Sequence, residues 1–213
     1  MVKKYLPLIL LLVGLLVFGG VYFFAIRGRS EKGGLEEEAL MELPLEKRPI
    51  AKLIPSVDGH WLKLVVEKIN VEGAVSMDYE LLYKFPDMET GEERTAGVPG
   101  TIMLTGQSAI ERDLLMGSES SGKFRYDEGV KEGTLTLRFR NDNGKLIAKL
   151  STGFHLQKNE KELTDVDGKF THTLDSIPQD VYFVTMSTFG IGDVHDAFVR
   201  DDVYAIFASS NLK

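Results

Sequence analysis

The chain has 213 residues, 43% of them hydrophobic and 27% charged, and no cysteine. The absence of thiols excludes disulfide frameworks, thiolate metal sites and cysteine nucleophiles. The net charge is −7, and residues 1–49, with seven Lys or Arg against six Glu, hold +1, which leaves −8 on the rest. A domain of that sign repels phosphate backbones, so nucleic acid is not an expected partner.

Residues 1–4 form a short tail. Tyr5 to Ile26, YLPLILLLVGLLVFGGVYFFAI, then carries no charge. At about 1.5 Å per helical residue it reaches roughly 33 Å, the thickness of a bilayer's hydrocarbon core. The run predicts a transmembrane helix with the lipid bilayer as its partner. It is longer than the ~7–15-residue core of a cleaved signal peptide. No small-x-small cleavage site follows it, so an uncleaved signal anchor is expected. Pro7 lies in the first turn, where a missing N–H matters least. Gly14, Gly19 and Gly20 read as ordinary membrane-helix glycines, with close approach of another helix as the alternative. Lys3 and Lys4 against Arg27, Arg29 and Lys32 leave the positive-inside rule nearly tied. Residues 27–49 read as a juxtamembrane spacer. Gly33-Gly34 breaks the helix, and Leu35 to Leu43 has helix formers over too short a length to bury much.

From residue 50 to 213 the pattern changes to period two. His60 to Asn70 places Leu62, Leu64 and Val66 on one face. Trp61, Val65 and Ile69 make its other face partly apolar, which predicts a central strand with Trp61 in the core. Met77 to Phe85 alternates Tyr79, Leu81, Tyr83 and Phe85 against Asp78, Glu80 and Lys84. Thr134 to Arg140 sets Leu135, Leu137 and Phe139 against Thr134, Thr136, Arg138 and Arg140. Leu146 to Leu156 continues with Leu146, Ala148, Leu150, Phe154 and Leu156. Weaker candidates are Thr101–Thr105, Ile110–Met116, Lys123–Tyr126, Lys169–Leu174, Val181–Thr188 and Val203–Ala208. Such alternation puts one face on a core and one in water, as in antiparallel sheets. Asp58-Gly59, Thr90-Gly91, Asn143-Gly144 and Asp167-Gly168 are turn pairs between these runs. Arg140 to Lys145 is the strongest hairpin. Short strands with regular turns and no convincing helix predict a mainly β fold, an antiparallel, immunoglobulin-like β-sandwich, with a closed barrel as the alternative.

KKYLPLILLLVGLLVFGG, followed by DGHWLKLVVEKI, YELLYKF, GSESSGKFRYDEGV and GTLTLRFR, resembles a group of bacterial proteins from small-genome lineages. These have one N-terminal span and no known activity. The resemblance covers most of the chain. It implies a bacterial envelope location and the same architecture, and it brings no activity, cofactor or catalytic residue. Together with the short N-terminal tail, it places the β-domain outside the cytoplasm.

Gly117 to Lys123 has the G-x-x-x-x-G-K spacing of a phosphate loop. That motif works through backbone N–H groups at a helix N-terminus, a Lys and a Ser/Thr on magnesium. Here Phe124 replaces the Ser/Thr, strand rather than helix follows, and Glu119 would set a carboxylate among phosphates. No nucleotide is therefore expected. Gly117 to Gly133 reads instead as the longest irregular stretch and the most promising binding edge, with Ser118, Glu119, Ser120, Ser121, Lys123 and Arg125 as candidate binding residues.

Asp165-x-Asp167-Gly168 and Asp142-x-Gly144 hint at calcium. From Asp165, however, the EF-type register falls on Lys169 and Ser176 where ligands are required, so hairpin turns are expected. Asp193, His195, Asp196, Asp201 and Asp202 form the densest His/Asp cluster. Asp193, His195 and Asp196 are the candidate metal ligands, although their spacing fits no familiar set. An acidic loop is the plainer reading. His155 and His172 are expected to face each other across a hairpin centred near residue 163. Gly106 to Ile110 lacks the second Gly of a nucleophile elbow. No cofactor is implied. The expected function is a non-catalytic, membrane-tethered binding or scaffolding module with an envelope protein as its partner. The alternatives are a metal-dependent hydrolase using Asp193–Asp202 and an accessory subunit of a membrane complex.

Overall fold

The computed structural model describes residue 40 and residues 43–88, 90–191 and 197–210. The predicted span 5–26, the tail 1–4 and most of the 27–49 spacer lie outside these residues. All described residues but residue 40 belong to one compact unit, Glu42–Lys213. Among the described residues no helix is long and apolar enough to cross a membrane.

The described chain is mainly β. A 3-10 turn, Leu45–Lys47, leads into β1 (Ile50–Pro55), β2 (Trp61–Glu67), β3 (Ser76–Pro86), β4 (Glu93–Met103) and β5 (Ala109–Leu115). Then follow β6 (Gly117–Ser120), β7 (Lys123–Tyr126), β8 (Glu132–Arg140), β9 (Leu146–Lys158) and β10 (Glu162–Thr164). The last are β11 (Thr171–Thr173), β12 (Tyr182–Ser187), β13 (Val199–Asp201) and β14 (Tyr204–Ala208). Every strand pairing is antiparallel. One sheet has seven strands in the order β13-β14-β12-β9-β8-β3-β4, and a second has three in the order β1-β2-β5. The pairs β10-β11 and β6-β7 are separate two-stranded hairpins.

The alternation of the sequence explains both sheets. Leu62, Leu64 and Val66 of the central strand β2 are fully buried, as are Leu81, Leu135, Leu137, Phe139 and Phe154 of the larger sheet. Both sets belong to one cluster that also takes Ile50 and Leu53 from β1 and Val184 and Phe207 from β12 and β14. Non-directional burial of apolar area favours this arrangement, because each strand has one greasy face and the two sheets cover each other's. Leu43 packs on the same cluster. At one margin the sheets touch through backbone, where the Ala51 N–H donates to the Thr188 carbonyl at 3.0 Å. A smaller cluster of Leu163, Phe170, Leu174, Val181, Phe183 and Ile206 fixes the β10-β11 hairpin to β12 and β14.

Several expectations need correction. The weak Thr101–Thr105 candidate is the end of an eleven-residue strand, β4. Gly97, Pro99 and Gly100 hid it, since such residues read as breakers. Pro99 is tolerated because β4 is an edge strand, where a missing ladder donor costs little. The Lys169–Leu174 candidate shrinks to β11, and β1, β6, β10 and β13 were not foreseen. Trp61 is half-buried and lies outside the core cluster. It pairs with Leu115 on the face of β2 opposite Leu62 and Leu64. His155 and His172 do not face each other. His155 sits on β9 opposite Thr185, whereas His172 is paired with Leu163.

Candidate functional site

Antiparallel register lines up side chains in rows that cross the strands, and on the outer face of the seven-stranded sheet these rows differ in size. At one end the face is an ion-pair ladder. Arg138 donates to Glu80 at 2.9 Å and Arg140 to Asp78 at 2.7 Å. Thr101 Oγ1 donates to the same Asp78 carboxylate at 2.8 Å. Burial pushes the Asp78 carboxyl up, but the donors Arg140 and Thr101 outweigh it and hold the group below its usual 3.8. Toward the other end lies a row of small residues around one larger one, Leu82, whose Cδ2 stands 2.9 Å from where a Cβ on Gly97 would lie. Leu82 pairs with Gly97 on one side and Thr134 on the other, and Thr134 pairs with Gly153. Ser187 follows Met186, the partner of Phe154, and so continues the row beside Gly153. Five strands thus share a trough. At ~4.8 Å between strands it runs for about 19 Å.

The trough is bounded by Lys84, Glu132 and His155 in the next row. The β10-β11 turn arches over its middle. Val166 there stands 3.3 Å from where a Cβ on Gly153 would lie, so the strap rests on the glycine. A cavity of about 400 Å³ lies on one side of the strap, among Leu82, Thr95, Thr134 and Gly153. A second, of about 250 Å³, lies on the other, among Ser151, Thr152, Ser187 and Tyr204. Both are lined by Gly153, Val166 and Asp167, so they flank the contact that the strap makes on the glycine. A third, of about 420 Å³, shares Lys84 and Glu132 with the first and extends the groove to Gly129 and Lys131.

The strap is built from local chemistry. Asp165 Oδ1 accepts the Phe170 N–H at 2.8 Å, and Lys169 Nζ donates to Asp167 at 2.9 Å. That bond to Asp167 holds the Lys169 ammonium above its usual range. His155 Nδ1 lies 3.0 Å from the Thr164 carbonyl oxygen and ties β9 to β10. The Asp165–Gly168 segment therefore forms the turn of the β10-β11 hairpin, as expected.

The predicted binding residues lie elsewhere. Gly117 to Tyr126 is an ordered hairpin, β6-β7, not an irregular stretch. Its turn takes Ser121 at φ 52° and Gly122 at φ 75°, the two positive values that a tight two-residue hairpin turn requires. Ser118 pairs with Arg125 and Ser120 with Lys123, so these four side chains share one exposed face. Glu119 pairs with Phe124 on the opposite face. There a column of rings forms, with Trp61 edge-on to Phe124 at 5.7 Å, Phe124 parallel to Tyr126, and Tyr126 stacked on His60 at 4.0 Å. The hairpin base is tied down by Tyr83, whose buried hydroxyl donates to Asp127 at 2.8 Å. Burial, and then the neighbouring Asp127 carboxylate, push the Tyr83 phenol well above its ordinary range. His60 Nε2 adds a contact to Glu128 at 3.1 Å. The hairpin is thus clamped at the base and open along one polar face.

Asp193, His195 and Asp196 lie outside the described residues. Asp201 ends β13, and Asp202 sits in the turn to β14 with φ 52°. Among the described residues no group of three or more His, Asp or Glu is placed to hold a metal ion. The trough itself went unseen in the sequence. Gly97, Thr134, Gly153 and Ser187 are each unremarkable there, and only the register assembles them.

No protein-family model matches the chain, and no curated protein matches it.

Proposed function

We propose that this chain is a non-catalytic binding module of a bacterial envelope, tethered by a transmembrane helix at residues 5–26 and displayed outside the cytoplasm. The uncharged apolar run supports the tether. The core shared by the two sheets supports reading the domain as a β-sandwich of immunoglobulin-like form. The observation that carries the reading is the trough. Ligand sites are concave and largely preformed, with a few convergent polar groups, and the groove around Gly153 has that character. The exposed Ser118, Ser120, Lys123 and Arg125 face of the hairpin offers a second contact in the same reading.

The test is photo-crosslinking in intact cells. A photoreactive residue at Thr134 should trap a covalent adduct of the partner, and protease added to spheroplasts should remove the β-domain. Absence of any adduct from Thr134 and from a second trough position, Thr95, would remove the basis for a binding module. Full protection of the domain from protease would overturn its extracytoplasmic placement.

A further inference from the structure

Outside the trough, both ring nitrogens of His60 face carboxylates. Nε2 lies 3.1 Å from a Glu128 oxygen, and Nδ1 lies 3.5 Å from Asp58 Oδ2. The other Asp58 oxygen is already engaged, accepting the Ser56 hydroxyl and the His60 backbone N–H. A neutral imidazole carries one N–H, so in either tautomer a bare nitrogen lone pair faces a carboxylate. Only the imidazolium donates at both ends. The ring also lies flat on Tyr126, with 4.0 Å between centroids and planes 6° apart, and a phenol face attracts a cation.

The elements around the ring suit the same charge. The β1-β2 turn supplies Asp58, and the Ser56 hydroxyl, then the His60 N–H, hold its carboxyl below the usual 3.8. The stretch between β7 and β8 supplies Glu128 and also Asp127, which is engaged by the Tyr83 hydroxyl. On β6, Glu119 pairs with Phe124, the next ring of the column. On β2, Lys63 is paired with Glu111 of β5 at 3.8 Å. On β12, the Tyr182 ring lies against Gly59, and Lys158 sits 4.7 Å over that ring with Asp180 at 3.1 Å to balance it. Lys123 and Arg125 share the opposite face of the hairpin.

We infer that His60 is a pH-dependent clamp, an imidazolium that bridges the β1-β2 turn and the base of the β6-β7 hairpin and lets go of one of them when it loses its proton. Imidazole is the side chain that titrates between about pH 5 and 8. The bridge is complete where both carboxylates are ionised and the ring is charged, and it weakens as pH rises through the imidazole range. The Tyr83 bond to Asp127 stays in place across that range, so the hairpin loosens rather than detaches. Its polar face, with Ser118, Ser120, Lys123 and Arg125, is held firmly in mildly acid surroundings and loosely in alkaline ones. The clamp is built within the β-domain and rests on neither the trough nor the tether.

Hydrogen exchange read by mass spectrometry on the full-length protein in nanodiscs, from about pH 5 to 8, tests this. With rates corrected for the intrinsic pH dependence of exchange, protection of β6-β7 should fall roughly twofold to fivefold across that range, as suits a partly exposed ion pair. Protection of β8 and β9 should stay constant. His60→Gln keeps a donor and an acceptor without a titratable charge and should abolish the fall. Glu128→Gln removes one of the two carboxylates and should shrink it. His172→Gln on β11 should leave it intact. Protection of β6-β7 that does not change with pH in the parent overturns the inference. So does a fall that persists undiminished in His60→Gln or Glu128→Gln, or one that spreads equally over β8 and β9.

Discussion

On β8, Leu135, Leu137 and Phe139 are wholly buried, while Thr134, Thr136 and Arg138 alternate with them on the opposite face. One face of the seven-stranded sheet is thus filled with large apolar side chains that also touch the second sheet. The other passes from an ion-pair ladder at Asp78 and Arg140 to a bed of Gly, Ser and Thr around Gly153. The same backbone serves both, so stability and recognition are carried by different faces of one set of strands. Changes to the inner face should be costly, and changes to the outer trough should be nearly free. That separation is what lets a surface evolve for a partner without dissolving the fold.

The largest effect that sharpens this contrast is Phe139→Ala. It deletes a ring with no exposure and should cost about 3–5 kcal/mol in urea unfolding, the usual range for emptying such a site. A loss of no more than a surface substitution would mean that the inner face is not the close-packed core described here.

Tyr83→Phe comes next. It removes one hydroxyl from the inner face and strands Asp127 at the hairpin base. Loss of a hydrogen bond to a charged group should cost about 1.5–3 kcal/mol. Hydrogen exchange should quicken through β6-β7 and leave β8 and β9 protected. Uniform loss of protection across the seven-stranded sheet would show that Tyr83 supports the whole core rather than the hairpin.

The outer ladder should give less. Asp78 is held below 3.8 in the folded chain, so the unfolded chain takes up its proton first as pH falls. Its contribution is complete above 3.8 and is lost as pH drops through the lower folded value. The pair is partly exposed, which limits the loss to about 1 kcal/mol or less. Melting temperatures at mildly and strongly acid pH should converge for Asp78→Asn and the parent as acidity increases. A constant gap at every pH would show that the carboxylate charge is not what matters.

Smallest of all is Thr134→Val, which keeps the β-branched shape on the floor of the trough. It should move stability by no more than about 0.5 kcal/mol. A cost approaching that of Phe139→Ala would abolish the distinction between the two faces.

Much of this was visible in the residues, and the reason differs from place to place. The Leu135-Leu137-Phe139 and Leu62-Leu64-Val66 alternations were legible because a strand's period of two writes burial directly into local order. The Asn141–Lys145 turn was legible too, because its chemistry is local: Asn141 Oδ1 accepts the N–H groups of Asn143 and Lys145 at 3.1 and 2.9 Å. β4 escaped, since the permission for Pro99 and two glycines comes from lying at an edge, which is a property of the sheet. The buried Lys52, paired with Glu67 at 2.8 Å, was equally invisible, because its partner sits on the neighbouring strand.

By itself the sequence determined the apolar run, the acidic β-domain, the strands with strong alternation and the turns that join them, since each rests on residues a few positions apart. Tertiary structure alone decided that Gly97, Leu82, Thr134 and Gly153 form one row, that Val166 lies across it, and that Tyr83 anchors a hairpin more than thirty positions later in the chain. Those relations depend on strand order and register, which are set when distant apolar faces find one another. No window of neighbouring residues contains them.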